Sequence, residues 1–154
     1  MSVVWRRNWE GLCISPICLA AWFAQSTYRH RELLMNKLLC GRRVLVVEDE
    51  MLVLMMMEGM MADLGCESIV SAATVDQALA LIDGQALDAA LLDMNLDGNK
   101  THRVADALAA RGVPFAFVTG YGGSDIRESD RDRPLLKKPF VFERLVEILT
   151  GLLR

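Results

Sequence analysis

Residues 86–99 read ALDAALLDMNLDGN, and the fold turns on whether Asp93 begins a loop or ends a strand. Asp93, Asn95, Asp97 and Gly98 match the first half of a calcium-loop pattern, D-x-[DN]-x-[DN]-G, which needs a helix before it. The second half fails. The twelfth position of such a loop requires a bidentate glutamate, and here it is Val104. The preceding DAALL reads as a buried strand. Asp93 is therefore expected as a carboxylate at a strand tip. Asp97 and Gly98 are expected in a tight loop, with Asp97 solvated or capping and not a ligand.

The same alternation extends outward from Arg43. RVLVV (43–47), CESIVSA (66–72), ALDAALLD (86–93), VPFAFVTG (113–120) and RPLLKKP (133–139) are apolar runs of strand length. Between them lie helix candidates. MLVLMMMEGMMADLG is stopped by Gly65, and TVDQALALIDG has Thr74 as N-cap and Gly84 past its end. THRVADALAARG closes at Gly112, and FVFERLVEILTGLL comes last. Residues 120–133, GYGGSDIRESDRDR, are polar and glycine-rich, enough for one or two helical turns. Strands that are apolar on both faces and alternate with helices predict an α/β fold. The expected architecture is a doubly wound, five-stranded parallel sheet with helices on both faces and a short or irregular fourth helix.

Composition bounds the function classes. The chain has 154 residues, 53% hydrophobic and 24% charged, which predicts one globular domain of ordinary size. A net charge of −3 supplies no basic field for nucleic acid or anionic lipid. Cys13, Cys18 and Cys40 with His30 lack the compact pair-plus-pair spacing of a zinc site. With Cys66 they are expected as reduced cysteines of a cytoplasmic protein. Residues 1–42 hold all three tryptophans and show no clear period. GLCISPICLAAWFA follows Arg6 and Arg7 as a secretory signal would. It is too short for a membrane span, carries Pro16 and lacks a small-x-small cleavage site. Residues 1–42 are expected to be an extension, or the result of a start placed too early with Met35 as the alternative, and 43–154 to be the functional domain. Neither a membrane nor a nucleic acid is expected as a partner.

In a parallel sheet with right-handed crossovers, every strand's C-terminal end lies along one edge, where such folds bind ligands. Strand one ends in Glu48-Asp49-Glu50, strand three in Asp93, strand four in Thr119 and strand five in Lys137-Lys138-Pro139. Converging carboxylates repel one another unless a cation intervenes, and an oxygen-ligated ion such as Mg²⁺ fits them. A lysine and a hydroxyl opposite would suit an incoming phosphoryl oxygen. The set looks built for phosphoryl transfer onto Asp93. Each residue alone has a dull reading as a helix cap, a turn residue or a solvated strand end. Their joint placement at successive strand ends carries the argument.

VLVVEDE, LLDMNLDG, FVTGYGG and LLKKPF resemble, in order and spacing, the four signature segments of the bacterial response-regulator receiver domain. The resemblance implies that Asp93 is the phosphoacceptor, and that Glu48 and Asp49 hold Mg²⁺ together with Asp93 and the backbone carbonyl of Asn95. It further implies that Thr119 is the switch hydroxyl, that Lys138 contacts the phosphoryl group, and that the Lys138–Pro139 bond is cis. Asn95 and Tyr121 would flank the phosphoryl group and influence its hydrolysis. PFAFVTGYGG is also similar to the PFxFATGY pattern of the FATGUY subgroup of single-domain receivers. Leu135 stands where many receivers carry a switch tyrosine or phenylalanine, which argues against an aromatic relay. Gly120, Gly122 and Gly123 point to an order–disorder change in 120–133 as the switch.

The resemblance thus implies a single-domain response regulator with no separate substrate. It would take its phosphoryl group from a sensor histidine kinase or phosphotransfer protein and signal through an unknown downstream protein or as a phosphate sink. No output domain is expected after Arg154. The alternative is a receiver-fold adaptor that works without phosphorylation, which has no chemical need to keep Asp93, Thr119 and Lys138. A phosphoaspartyl phosphatase would need an acid two residues after its nucleophile, and Asn95 stands there. The methionines of 51–61 are expected as core packing, and His30 and His102 as surface residues.

Overall fold

A computed structural model of the chain describes residues 38–120 and 126–154. Cys13, Cys18, the tryptophans, His30 and Met35, and the loop residues Tyr121, Gly122 and Gly123, lie outside the described residues, whereas Cys40 is described and exposed. Five strands form one parallel sheet: β1 (Arg43–Val47), β2 (Ser68–Ala72), β3 (Ala89–Asp93), β4 (Phe115–Thr119) and β5 (Leu135–Lys137). Their spatial order is β2-β1-β3-β4-β5, with registers such as Val47↔Leu92, Asp93↔Val118 and Thr119↔Lys137. Four α-helices connect or follow them: α1 (Met51–Asp63), α2 (Val75–Gly84), α3 (His102–Ala110) and α4 (Phe142–Leu152).

The doubly wound architecture read from the sequence is the one observed. Alternation sends Val44, Val46, Leu91, Val118 and Leu136 to one side, where Met57 and Met61 of α1 and Leu145 and Leu149 of α4 cover them. Leu45, Val47, Leu92, Phe115 and Phe117 point the other way, onto Ala78 and Ile82 of α2 and Val104 and Leu108 of α3. Leu39, upstream of Arg43, is also fully buried, and its N–H donates to the Leu64 carbonyl at 3.1 Å.

Local signals set the boundaries. Thr74 caps α2 by accepting the Gln77 N–H at 3.3 Å. Helices α1 and α3 both end in paired reverse bonds: Cys66 N–H to Met61 and Gly65 N–H to Ala62 in one, Val113 N–H to Leu108 and Gly112 N–H to Ala109 in the other. This closure requires a left-handed residue, and Gly65 (φ 78°) and Gly112 (φ 68°) supply it. The Lys138–Pro139 bond is cis, as the resemblance implied.

Two details differ from the sequence reading. After β3 the chain does not simply loop: Asn95–Leu96 and Asn99–Lys100 pair antiparallel across Asp97 and Gly98. Both turn residues have positive φ, 47° and 84°, as a tight two-residue hairpin demands. The methionines of α1 also do not all enter the core. Met57 and Met61 are buried, whereas Met51, Met55 and Met56 are exposed beside Leu52. Because α1 is apolar on nearly every face, periodicity could not say which face turns inward. Between β4 and β5 the described part of the crossover holds one 3-10 turn, Glu128–Asp130, in place of a regular helix.

Candidate functional site

The described residues singled out at strand ends meet at one edge of the sheet. Each arrives for a local reason. Glu48 directly follows β1, and its N–H donates to Ala72 of β2 at 3.0 Å, which prolongs the ladder by one residue. Asp93 is the last residue of β3, and Thr119 is the last of β4. Lys138 follows β5, and its N–H donates to the Thr119 carbonyl at 2.7 Å. From there its side chain reaches the acidic residues.

Lys138 is the hub. Its Nζ lies 2.7 Å from Asp93 Oδ2, 2.7 Å from Glu48 Oε2 and 3.5 Å from Glu50 Oε1. Asp93's other oxygen, Oδ1, accepts the Asn95 N–H at 3.0 Å. Asp49 is tied in from the opposite side, where its Oδ2 accepts the Asp97 N–H at 2.9 Å. Asp97 therefore serves the site through its backbone and not as a ligand. Glu48, Asp93 and Thr119 are buried polar residues at this edge, whereas Asp49 and Glu50 are exposed.

Electrostatics follow from burial. Desolvation pushes the Glu48 carboxyl up to about 7; the Lys138 hydrogen bond opposes the rise and the Asp93 charge adds to it. Burial alone would lower the Lys138 ammonium, but its bonds to Asp93 and Glu48 outweigh it and hold the group above its ordinary value. Lys138 is therefore a permanent cation here, in contact with three carboxylates.

One carboxylate oxygen each from Glu48, Asp49 and Asp93 lie within 4.8 Å of one another. Opposite ligands of an octahedral Mg²⁺ stand roughly 4 Å apart, because each bond is about 2.0–2.1 Å. Glu48 Oε2 is buried and has the Lys138 ammonium at 2.7 Å as its only close partner among the described residues. Three carboxylates at this spacing form an all-oxygen donor set that fits Mg²⁺. Asn95 lies beside Asp93 through its N–H, which donates to Asp93 Oδ1.

Two participants were missed by sequence reasoning. Glu50 stood in the acidic triplet, yet nothing in the sequence indicated that it would approach Lys138. Thr101 was read only as the start of a helix, but its hydroxyl donates to the Asp93 carbonyl at 2.6 Å.

The response regulator receiver domain family model matches residues 44–150 of the chain. No curated protein matches it. Among solved structures, SdrG from Sphingomonas melonis Fr1 is 41% identical, with 73% of this chain and 97% of that chain covered and a TM-score of 0.67. The PhyR response-regulator receiver domain from Erythrobacter litoralis is 31% identical over 73% of this chain and 89% of that one, with a TM-score of 0.64. The receiver domain of the sensor histidine kinase PA1611 from Pseudomonas aeruginosa is 25% identical, over 73% and 97%, with a TM-score of 0.60. That last structure holds a magnesium ion in its active-site cleft.

Proposed function

The chain belongs to the response-regulator receiver domain family, and from that premise we propose that it is a single-domain response regulator phosphorylated on Asp93. The observation that supports this most strongly is the contact of Lys138 with Asp93 Oδ2 at 2.7 Å inside an acidic edge. That contact sets a carboxylate oxygen of the acceptor against a fixed ammonium at the strand tip. In the reaction an Asp93 oxygen forms a bond to phosphorus while the N–P bond of a phosphohistidine breaks. The leaving imidazole keeps its electron pair and takes a proton. Lys138 then follows the charge onto a phosphoryl oxygen, and the Thr119 hydroxyl hydrogen-bonds to another.

Mg²⁺ would be held by Glu48, Asp49, Asp93 and the carbonyl of Asn95. When bound it supplies neutralisation of the phosphoryl and carboxylate charge. The PA1611 receiver domain, with magnesium in its cleft, supports that assignment. The protein has no separate substrate and takes part in its own phosphorylation and dephosphorylation. Its donor is a sensor histidine kinase or phosphotransfer protein, and it signals onward by protein binding or by draining phosphoryl groups. Met51, Leu52, Met55 and Val141, exposed apolar residues on segments leaving the acidic edge, support a protein donor. No helix among the described residues is long and apolar enough to cross a membrane.

Radiolabelled phosphotransfer tests the reading. Wild type should take label from a histidine kinase or from acetyl phosphate with Mg²⁺ present, and Asp93→Ala should take none. Equal labelling of Asp93→Ala would move the acceptor elsewhere. A wild type that takes no label from either donor would leave the phosphorylation-independent adaptor.

A further inference from the structure

We infer that Thr101 is a positioning residue for Asp93, its hydroxyl setting the acceptor's backbone. The inference rests on Asp93 being the phosphoacceptor.

Thr101 occupies the N-cap position of α3, with φ −88° and ψ 18°. A threonine there ordinarily accepts a hydrogen bond from the second or third helical N–H, worth about 1 kcal/mol of helix stability. Thr101 makes no such bond. Its hydroxyl instead points backward and donates to the Asp93 carbonyl at 2.6 Å, with the residue only 1% exposed. The α3 N-terminus forgoes a side-chain cap, and the hydroxyl serves the last residue of β3.

The hairpin explains how a residue eight positions away returns to Asp93. Asp97 and Gly98 reverse the chain, and the Thr101 N–H donates to the Met94 carbonyl at 3.3 Å. The Asp93 carbonyl belongs to the peptide plane that joins it to Met94, so holding it fixes the Asp93 ψ angle. That angle determines where the chain carries the Asn95 N–H, which donates to Asp93 Oδ1 at 3.0 Å. Lys138 holds Oδ2. The acceptor is thus restrained at its carbonyl and at both carboxylate oxygens. The carbonyl restraint acts on the same peptide plane as the Met94 N–H bond to Val118 (3.2 Å), and neither depends on the charges that change on phosphorylation. In-line attack is sensitive to displacements well below a bond length, so such a restraint acts on rate.

The test uses the full chain, acetyl phosphate and saturating Mg²⁺. Thr101→Val keeps the shape and removes the hydroxyl, Thr101→Ala removes it without a methyl against the carbonyl, and Thr101→Ser retains it. Val and Ala should lower the labelling rate at saturating donor about tenfold, leave the half-saturating donor concentration within about twofold, and Ser should restore the rate. A folded Val or Ala variant labelled at the wild-type rate overturns the inference, as does a Ser variant as slow as Val. In wild type the Thr101 hydroxyl proton should appear by NMR as a slowly exchanging resonance. A fast-exchanging one also overturns it, whether or not the variants fold. Failure of wild type itself to label removes the phosphoacceptor reading instead, so the two failures are distinguishable.

Discussion

Lys138 and Arg127 make nearly the same bonds in very different surroundings. Lys138 Nζ lies 2.7 Å from both Asp93 and Glu48, while Arg127 reaches Asp106 at 2.7 Å and Asp130 at 2.8 Å. The side chains of the first group are 13%, 11% and 1% exposed; Arg127 and Asp106 are 31% and 63% exposed. Carboxylate behaviour diverges accordingly. Glu48 is pushed up by burial against the pull of its lysine, whereas the Arg127 hydrogen bond draws Asp106 below the ordinary carboxylate range. Distance alone does not rank the two networks. The buried one is under electrostatic stress that a metal ion can relieve, and the exposed one is a tether between the 126–133 segment and α3.

The strongest way to break this contrast is to remove the buried cation. Lys138→Met should slow labelling at saturating donor by about 10²–10³-fold, the usual loss when one charge-stabilising group is deleted. It also leaves Glu48 and Asp93 facing each other without their cation, so in chelator the variant should melt well below wild type. Added Mg²⁺ should recover much of that loss and should bind more tightly than in wild type, because Lys138 competes for the same oxygens. Calorimetric titration with Mg²⁺ reads the difference. Weaker Mg²⁺ binding in Lys138→Met would mean that the lysine organises the acidic edge and does not compete with the ion.

A smaller effect tests the stress on Glu48 itself. Its carboxyl is pushed from 4.5 up to about 7, so between those values the folded protein holds a proton there that the unfolded chain has already released. With a folded value raised above the unfolded one, this group's contribution to stability is fully present below about pH 4.5 and is lost as pH rises toward 7. In chelator, Tm should therefore fall between pH 5 and 7.5 through this group, and Glu48→Gln should flatten that slope. Mg²⁺ requires the ionised form, so its apparent affinity should drop by up to tenfold per unit as pH falls below about 7. A Mg²⁺ affinity that stays flat from pH 5 to 8 would place the ion away from Glu48.

Why the sequence revealed one network and not the other follows from what each needs. Glu48, Asp93, Thr119 and Lys138 were legible because each ends or directly follows an apolar strand run, and a parallel sheet brings such ends together whatever the side-chain details. Gly65, Thr74 and Gly112 were legible because capping is local. Arg127 and Asp106 lie 21 residues apart, and no periodicity joins them. Thr101 was read only as the start of a helix, and the hairpin at Asp97-Gly98 turns its hydroxyl toward Asp93. The exposed methionines of α1 escaped because a helix apolar all round gives no signal of its buried side.

The exposed network offers the finest test, since its members should not be equivalent. Asp106→Ala removes a largely solvated partner and should cost no more than about 0.5 kcal/mol in urea unfolding. That difference should vanish on going from low salt to about 1 M, where screening is nearly complete. Arg127→Ala should cost more, about 1–2 kcal/mol, because it also strands Asp130, whose side chain is only 9% exposed. Salt should recover little of this, because the Asp130 carboxylate has no solvent to exchange with. Arg127→Ala combined with Asp130→Asn should then be more stable than Arg127→Ala alone, since the second change removes the unpaired charge. If Asp106→Ala and Arg127→Ala cost the same and fade together with salt, Asp130 is solvated in solution, and the contrast between a stressed buried network and a loose exposed one would rest on Lys138 alone.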